Sequence, residues 1–173
     1  MNLTCPLFLW GFMGSGKSFY GRRIAREWHL PFYETDLAVE ATTGMSIPEI
    51  FAKEGEKAFR SYEQQALLAL DSSQPSIIAT GGGTPCFYDN AAWMKNHGLT
   101  LYLHLPVEAL VTRLLHSHTK RPLLTENNEK ELRIHVEQLL QLREKIYRQA
   151  HLCVDATRLT PDYLENVLDL LPF

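Results

Sequence analysis

A run of residues near the start of the chain has glycine, lysine and serine at the spacing of a phosphate-binding loop. Residues 11–18 read Gly-Phe-Met-Gly-Ser-Gly-Lys-Ser and match G-x-x-x-x-G-K-[ST] in full. In such a loop the backbone N–H groups surround phosphate oxygens, the lysine reaches the outer phosphates and the last hydroxyl ligates Mg²⁺. The motif predicts binding of a nucleoside triphosphate, with Mg²⁺ as cofactor, by Gly14, Ser15, Gly16, Lys17, Ser18 and the backbone N–H of Phe19.

The second predicted strand ends in two carboxylates, within Glu34-Thr35-Asp36. In open α/β sheets ligands bind beyond the carboxyl ends of the strands. Because side chains alternate along a strand, we expect Glu34 and Asp36 on the same side. One carboxylate could hold Mg²⁺ through water while the other orients an acceptor hydroxyl, as phosphoryl transfer requires. The alternative is that Asp36 only caps the following helix.

Three consecutive glycines, Gly81 to Gly83, follow the third predicted strand. They allow a small polar ligand to approach the backbone closely. A glycine triplet can also be a simple loop breaker. Its place at the carboxyl end of a strand favours ligand binding.

Two arginines stand where a purely structural residue is unexpected. Arg60 is predicted in the first turn of a helix spanning 58–70, where a cation opposes the helix dipole. Arg143 falls within an apolar stripe of a helix spanning 129–150, and an inward guanidinium needs a partner. A small carboxylate bound by both would supply one. The alternatives are an ion pair of Arg60 with Glu63 and an Arg143 head group that reaches solvent.

These residues are carried by alternating strand and helix patterns, which predict an α/β protein with a parallel sheet. An apolar run precedes each of the three segments, namely the loop, the acids and the glycines. Each of these runs is predicted to be a strand. The predicted strands are 3–10, 32–34, 76–80, 99–105 and 152–155, and the helices are 19–28, 36–42, 47–56, 58–70, 89–96, 107–115, 129–150 and 161–170.

The composition limits the remaining possibilities. A chain of 173 residues fits one domain, residues 1–173. Residues 116–128 show neither a helix nor a strand pattern, and we expect this segment to be a mobile lid. A net charge of −3 does not indicate nucleic-acid binding, and no apolar run is long enough to span a membrane. Three scattered cysteines and the absence of a basic leader predict a cytoplasmic protein without a signal peptide, and we expect a monomer.

Taken together, these motifs closely resemble those of the shikimate kinase family, small P-loop kinases related to nucleoside monophosphate kinases. The resemblance covers nearly the whole chain, and its most specific part is the run from Ser46 to Arg60. It implies a three-layer P-loop kinase fold, with a five-stranded parallel sheet flanked by helices, and transfer of the ATP γ-phosphoryl group to the 3-hydroxyl of shikimate. The matching segments are 11–18, 34–36, 44–51, 55–56, 59–60 with Glu63, 81–83, 121–124, Arg143 and 147–148.

The resemblance also implies roles for single residues. Asp36 would contact the shikimate hydroxyls, Arg60 and Arg143 its carboxylate, and Gly82 and Gly83 would add backbone contacts. On the nucleotide side, Arg121 corresponds to the lid arginine that closes over the phosphates. Arg113 and Arg158 correspond to residues that flank the adenine, and Pro161 corresponds to a proline in the nearby loop. In catalysis, Lys17 and Arg121 would stabilise the developing charge while Asp36 orients or deprotonates the acceptor hydroxyl.

The chain departs from the family pattern at two positions. Glu34 stands where the family usually has Asp, which changes the metal side of the site, and Phe19 replaces a Thr whose side chain contacts the α-phosphate. The rival functions are a related small-molecule kinase, such as one acting on gluconate, and a regulatory module that binds ATP without transfer. A GTPase is disfavoured because the Asn-Lys-x-Asp guanine signature is absent.

Overall fold

A five-stranded parallel sheet forms the centre of this computed structural model, which describes residues 3–117 and 128–169. The strands lie in the order β2-β3-β1-β4-β5, and each neighbouring pair is parallel. Their bounds are β1 Leu7–Trp10, β2 Phe32–Glu34, β3 Ile77–Ala79, β4 Leu99–His104 and β5 Leu152–Asp155. The predicted sheet is therefore confirmed.

Helices cover both faces of this sheet. All four side chains of β1 are fully buried, and since they alternate between the two faces, both faces must be covered. The three-layer α/β fold is thereby confirmed. In the described residues the helices are α1 Lys17–Trp28, α2 Thr35–Thr43, α3 Ile47–Lys53, α4 Gly55–Leu68, α5 Asn90–His97, α6 Val107–Leu115, α7 Glu129–Tyr147 and α8 Pro161–Leu168, with a short 3-10 helix Thr84–Cys86.

The strand register brings the chemically interesting segments to one edge. Ala79 of β3 lies between Leu9 of β1 and Glu34 of β2. The phosphate-binding loop, the acids and the glycine triplet directly follow these three positions. A parallel sheet with this register thus gathers three distant parts of the sequence at its carboxyl edge.

A second, smaller apolar cluster supports the helices beside that edge. Val39 of α2, Ile50 of α3 and Phe59 of α4 are buried together, apart from the main core. Ser46 occupies the N-cap position of α3, and its N–H donates to Glu49 at 2.9 Å. This cluster fixes the helices that carry Asp36 and Arg60.

Several predicted boundaries differ from the structure, and two of the differences have identifiable reasons. β1 begins at Leu7 rather than at residue 3, because Pro6 has no N–H to donate to a neighbouring strand. The break between α3 and α4 falls at Glu54, since Gly55 takes a left-handed conformation with φ of +81° and starts α4. Arg60 consequently lies in the second turn of α4, so the predicted conflict with the helix dipole does not arise. No helix in the described ranges is long and apolar enough to cross a membrane.

Candidate active site

Two adjoining cavities open at the carboxyl edge of the sheet. The smaller, of about 260 Å³, follows the phosphate-binding loop and is called the loop cavity; the larger, of about 520 Å³, reaches α2, α3 and α4 and is called the side cavity. Because they share lining residues, a group bound in one can contact a group bound in the other. The shared residues are Met13, Ser18, Glu34, Asp36 and Gly82.

The phosphate-binding loop has the conformation that its sequence predicts. Gly14 and Gly16 have φ of +81° and +98°, which side-chain-bearing residues rarely adopt. Lys17 is 8% exposed, and its Nζ donates to the carbonyl oxygens of Gly11 at 2.8 Å and Phe12 at 2.9 Å. Its ammonium group is therefore held in the loop beside the N-terminus of α1, where an anion is also stabilised by the helix dipole.

Arg113 reaches this loop from α6. Its Nη1 donates to the carbonyl oxygens of Gly14 at 3.3 Å and Ser15 at 3.2 Å. Ser15 is fully buried, and its Oγ has no hydrogen-bond partner within the described ranges. Arg158 lies between β5 and α8, is exposed, and lines neither cavity in the part of the chain that the structure describes. The structure thus brings Arg113, but not Arg158, into contact with the loop.

Phe19 places an aromatic ring on the wall of the loop cavity. Its side chain is 65% exposed and packs edge-on against Tyr20 at 5.2 Å between ring centroids. Tyr20 in turn donates from its hydroxyl to the Ala156 carbonyl at 2.6 Å, which ties α1 to the end of β5. Arg121 and most of the predicted lid at 116–128 lie outside the described residues.

Glu34 and Asp36 both line the two cavities, but not for the predicted reason. β2 ends at Glu34 and α2 begins at Thr35, so strand alternation does not apply to Asp36. Glu34 occupies the N-cap position and Asp36 lies in the first turn, so Asp36 is not the helix cap. Glu34 accepts a hydrogen bond from Arg22 of α1, a partner that the sequence analysis missed.

Arg60 is buried at the side cavity and pairs with two carboxylates, of which Glu63 is buried and Glu56 is exposed. Arg60 is 4% exposed; its Nη1 donates to Glu63 at 2.8 Å, and its Nη2 donates to Glu56 at 2.8 Å. The guanidinium also lies 4.2 Å from the ring centroid of Phe87. The alternative of an ion pair with Glu63 is therefore correct, and Arg60 lines the cavity as well.

Arg143 is the second buried guanidinium of the side cavity. It is 5% exposed, and its Nη1 has no hydrogen-bond partner within the described ranges. The inward position predicted for it is confirmed, since Arg143 lies on the buried side of α7 with Leu140 and Tyr147. A buried cation with an unpaired donor nitrogen stabilises an anionic ligand, and the fork geometry of a guanidinium suits a carboxylate.

The glycine triplet allows these charged groups to lie against the backbone. A Cβ at Gly81 would be 2.3 Å from Glu63 Oε1 and 2.6 Å from Asp36 Oδ1, and one at Gly83 would be 2.4 Å from Arg60 Nη1. Gly82 lines both cavities. The protein's own side chains therefore approach this backbone closely, and the approach of a ligand there stays a prediction.

Glu63 is a site residue to which the sequence assigned no role in the site, since it entered as an alternative partner for Arg60 and as part of a matching segment. It is fully buried, lines the side cavity and accepts from the hydroxyl of Thr84 at 2.6 Å as well as from Arg60. Tyr147 also entered only as part of a matching segment, and its hydroxyl donates to the Gly82 carbonyl. The spacing of Arg60 and Glu63 on one helix face was the available signal for Glu63.

The thiol of Cys86 lies close to both arginines, and its reactivity tests how strongly water is excluded from this region. Burial raises its pKa to about 11, and the Arg143 and Arg60 guanidinium groups lower it by less. We expect alkylation of Cys86, followed by peptide mass spectrometry, to be slow at about pH 8, where roughly one thiol in a thousand is ionised, and to speed up about tenfold per pH unit up to about pH 10.

The same cysteine in urea-unfolded protein is the control, because its pKa there returns to about 8.5. A rate in folded protein that levels off below about pH 9 would contradict the burial of this thiol.

Comparison with known proteins gives a consistent result over nearly the whole chain. The family model described as shikimate kinase matches residues 13–171. A shikimate kinase of Bacteroides fragilis is 36% identical over 153 residues, which cover 88% of this chain and 86% of that protein. A shikimate kinase of Microcystis aeruginosa is 40% identical over 168 residues, covering 96% and 86% respectively.

Solved structures show the same similarity. The crystal structure of shikimate kinase from Bacteroides thetaiotaomicron superimposes with a TM-score of 0.88 at 32% identity and covers 95% of this chain and 98% of its own. Shikimate kinase from Acinetobacter baumannii, solved in complex with shikimate, gives a TM-score of 0.85 at 33% identity and covers 96% and 92%.

Proposed function

This chain belongs to the shikimate kinase family, and we propose that it transfers the γ-phosphoryl group of ATP to the 3-hydroxyl of shikimate. The observation that carries the proposal is the side cavity with its two buried arginines, joined to a phosphate-binding loop. Shikimate is a small hydroxylated carboxylate, and it would fill the side cavity while ATP occupies the loop cavity.

The acceptor would be held by its carboxylate and its hydroxyls. Arg143 offers its Nη1, which has no hydrogen-bond partner in the described residues, and Arg60 lines the same cavity with its own carboxylate partners. Gly82 and Gly83 bring the backbone to the cavity wall, and Asp36 lies where the two cavities meet. Holding the acceptor at this boundary supplies the orientation on which phosphoryl transfer mainly depends.

The charge that develops on the transferred group would be stabilised from the loop side. Lys17 is positioned by the loop carbonyls, and the backbone N–H groups through Phe19 surround the phosphates. We assign Arg121 to the same task and Arg113 and Arg158 to the adenine side. A lid at 116–128 that closes over the nucleotide would exclude water and limit wasteful hydrolysis.

Mg²⁺ is part of the proposal as the cofactor bound with ATP. The donor set fits, because the Ser18 hydroxyl and the Glu34 carboxylate offer the oxygen ligands that Mg²⁺ prefers. In the described ranges no cluster of three or more His, Cys, Asp or Glu could form an all-protein metal centre, which suits a cation that keeps water and phosphate ligands. When bound, it would neutralise negative charge on the phosphates.

The direct test is a coupled assay of ADP release with and without shikimate. We expect release to depend strongly on shikimate and the product to be shikimate 3-phosphate by mass spectrometry. Gluconate serves as the alternative acceptor. Equal ADP release without shikimate, or faster release with gluconate, would overturn the proposal.

We also infer from the sequence that the protein is a single domain over 1–173, acts as a monomer and resides in the cytoplasm. Sedimentation analysis at micromolar concentration would test the monomer. A dimer there would contradict it.

The close contact at Gly83 gives a graded prediction for acceptor binding. In Gly83→Ala the added methyl group would meet the Arg60 guanidinium, which cannot move aside easily because Glu56 and Glu63 hold it. We expect KM for shikimate to rise about tenfold, equivalent to ~1.4 kcal/mol, with KM for ATP nearly unchanged. Steady-state kinetics with each substrate varied would measure this, and an equal rise in both KM values would refute a local effect.

A further inference from the structure

The pairing of Glu34 with Arg22 follows from how α1 packs on β2. A Cβ at Gly21 would be 2.5 Å from the Phe32 ring, so α1 approaches β2 closely only because this residue is glycine. The Arg22 guanidinium therefore lies over Phe32, 5.1 Å from its ring centroid. Glu34, two residues further along the strand and on the same side, then accepts from Arg22 Nη2.

The pair lies at the place where the proposed metal site would form. Arg22 is one helical turn beyond Ser18, so both lie on the same side of α1. Glu34 and Ser18 each line both cavities, and Arg22 lines the side cavity. The Glu34 side chain is 11% exposed, whereas that of Arg22 is 60% exposed. The carboxylate is thus held at the boundary, while the arginine can move into solvent at little cost.

We propose that Arg22 is a positioning residue that holds the Glu34 carboxylate and competes with the divalent cation for it. The inference rests on the nucleotide half of the proposed function. A guanidinium beside a carboxylate offsets its charge and occupies one of its oxygens, so both effects weaken its attraction for a second cation. Glu34 exchanges partners when the metal–nucleotide complex binds, and the exposed Arg22 is released. Arg22 thereby sets the affinity of the site for the metal.

The test measures metal binding rather than turnover, with Mn²⁺ as probe. Binding of Mn²⁺ to protein saturated with ADP is followed by loss of the electron paramagnetic resonance signal of free Mn²⁺. We expect Arg22→Gln to bind Mn²⁺ about 3- to 10-fold more tightly, because the Glu34 carboxylate then loses the cation that competes with the metal for it. Glu34→Gln should bind it more weakly.

The double variant decides whether Arg22 acts through Glu34. In the Glu34→Gln background, adding Arg22→Gln should leave Mn²⁺ affinity unchanged, because the two residues act as one unit. Arg23→Gln is the matched control: Arg23 is exposed on the same helix, carries the same charge and lines neither cavity in the described residues. It should leave the affinity unchanged. Thermal unfolding would verify that each variant is folded, and an exposed ion pair contributes little to stability.

Several results would overturn the proposal. The first is unchanged or weaker Mn²⁺ binding in Arg22→Gln. The second is a gain in Mn²⁺ affinity, equal to that of Arg22→Gln alone, either in Arg23→Gln or when Arg22→Gln is added to Glu34→Gln. The third is no Mn²⁺ binding to any ADP-saturated form. The titration contains no acceptor, so it is independent of whether shikimate is phosphorylated. Failure of the coupled assay would remove the proposed acceptor and leave this result standing.

Discussion

Replacing Asp36 by asparagine is expected to lower kcat for phosphoryl transfer to shikimate by about 10²- to 10⁴-fold, the usual contribution of a positioned general base. Asp36 lines both cavities, so its carboxylate can contact an acceptor hydroxyl while the nucleotide occupies the loop cavity. Glu34 has a similar place but is held by Arg22. Asparagine keeps the shape and loses the charge and the basicity. Steady-state kinetics and a separate titration with ADP would measure the change, and we expect ADP affinity to be little affected.

Asp162→Asn is the matched control for this change. Asp162 lies in the first turn of α8, as Asp36 lies in the first turn of α2, but it lines neither cavity in the described residues. Both variants lose a favourable interaction with a helix dipole, of about 0.3–1 kcal/mol. Only Asp36→Asn should lose activity. A kcat for Asp36→Asn within about threefold of the unmodified protein would exclude a role in the chemical step.

The parts of the site that the sequence predicted are those governed by local rules. The phosphate-binding loop is a contiguous motif, and its glycines fix the backbone within a few residues. The acids and the glycine triplet follow apolar strands, and parallel strands place their carboxyl ends at one edge. Arg143 was found by helical periodicity alone. In each case the spacing along the chain determines the position in space.

The parts that were missed depend on contacts between separate elements. The bond from Arg22 to Glu34 requires the distance between α1 and β2, which Gly21 sets by its contact with Phe32. The contact of Thr84 with Glu63 joins the glycine segment to α4. No periodic pattern encodes such distances. Periodicity is also ambiguous by one residue, because helical steps of three and four both keep to one face.

The remaining prediction with a large effect concerns Arg143. Arg143→Gln should raise KM for shikimate by roughly 30- to several-thousand-fold, corresponding to about 2–5 kcal/mol for loss of one partner of a buried, hydrogen-bonded charge pair. The physical reason is that Arg60 cannot replace it, since Glu56 and Glu63 already engage the Arg60 guanidinium. ATP binds on the loop side, so we expect KM for ATP to change little. Initial rates with each substrate varied would give both values.

The control is Arg133→Gln on the same helix. Arg133 donates to Glu108 at 2.9 Å on the surface, and exposed pairs of this kind contribute about 0–1 kcal/mol. It should leave both KM values unchanged. Assays with an analogue of shikimate that lacks the carboxylate separate binding of this group from a general disturbance of the cavity. If Arg143 binds the carboxylate, the Arg143→Gln variant and the unmodified protein should use that analogue about equally poorly. A large difference between them would mean that Arg143 acts on some other part of the acceptor or on the cavity itself.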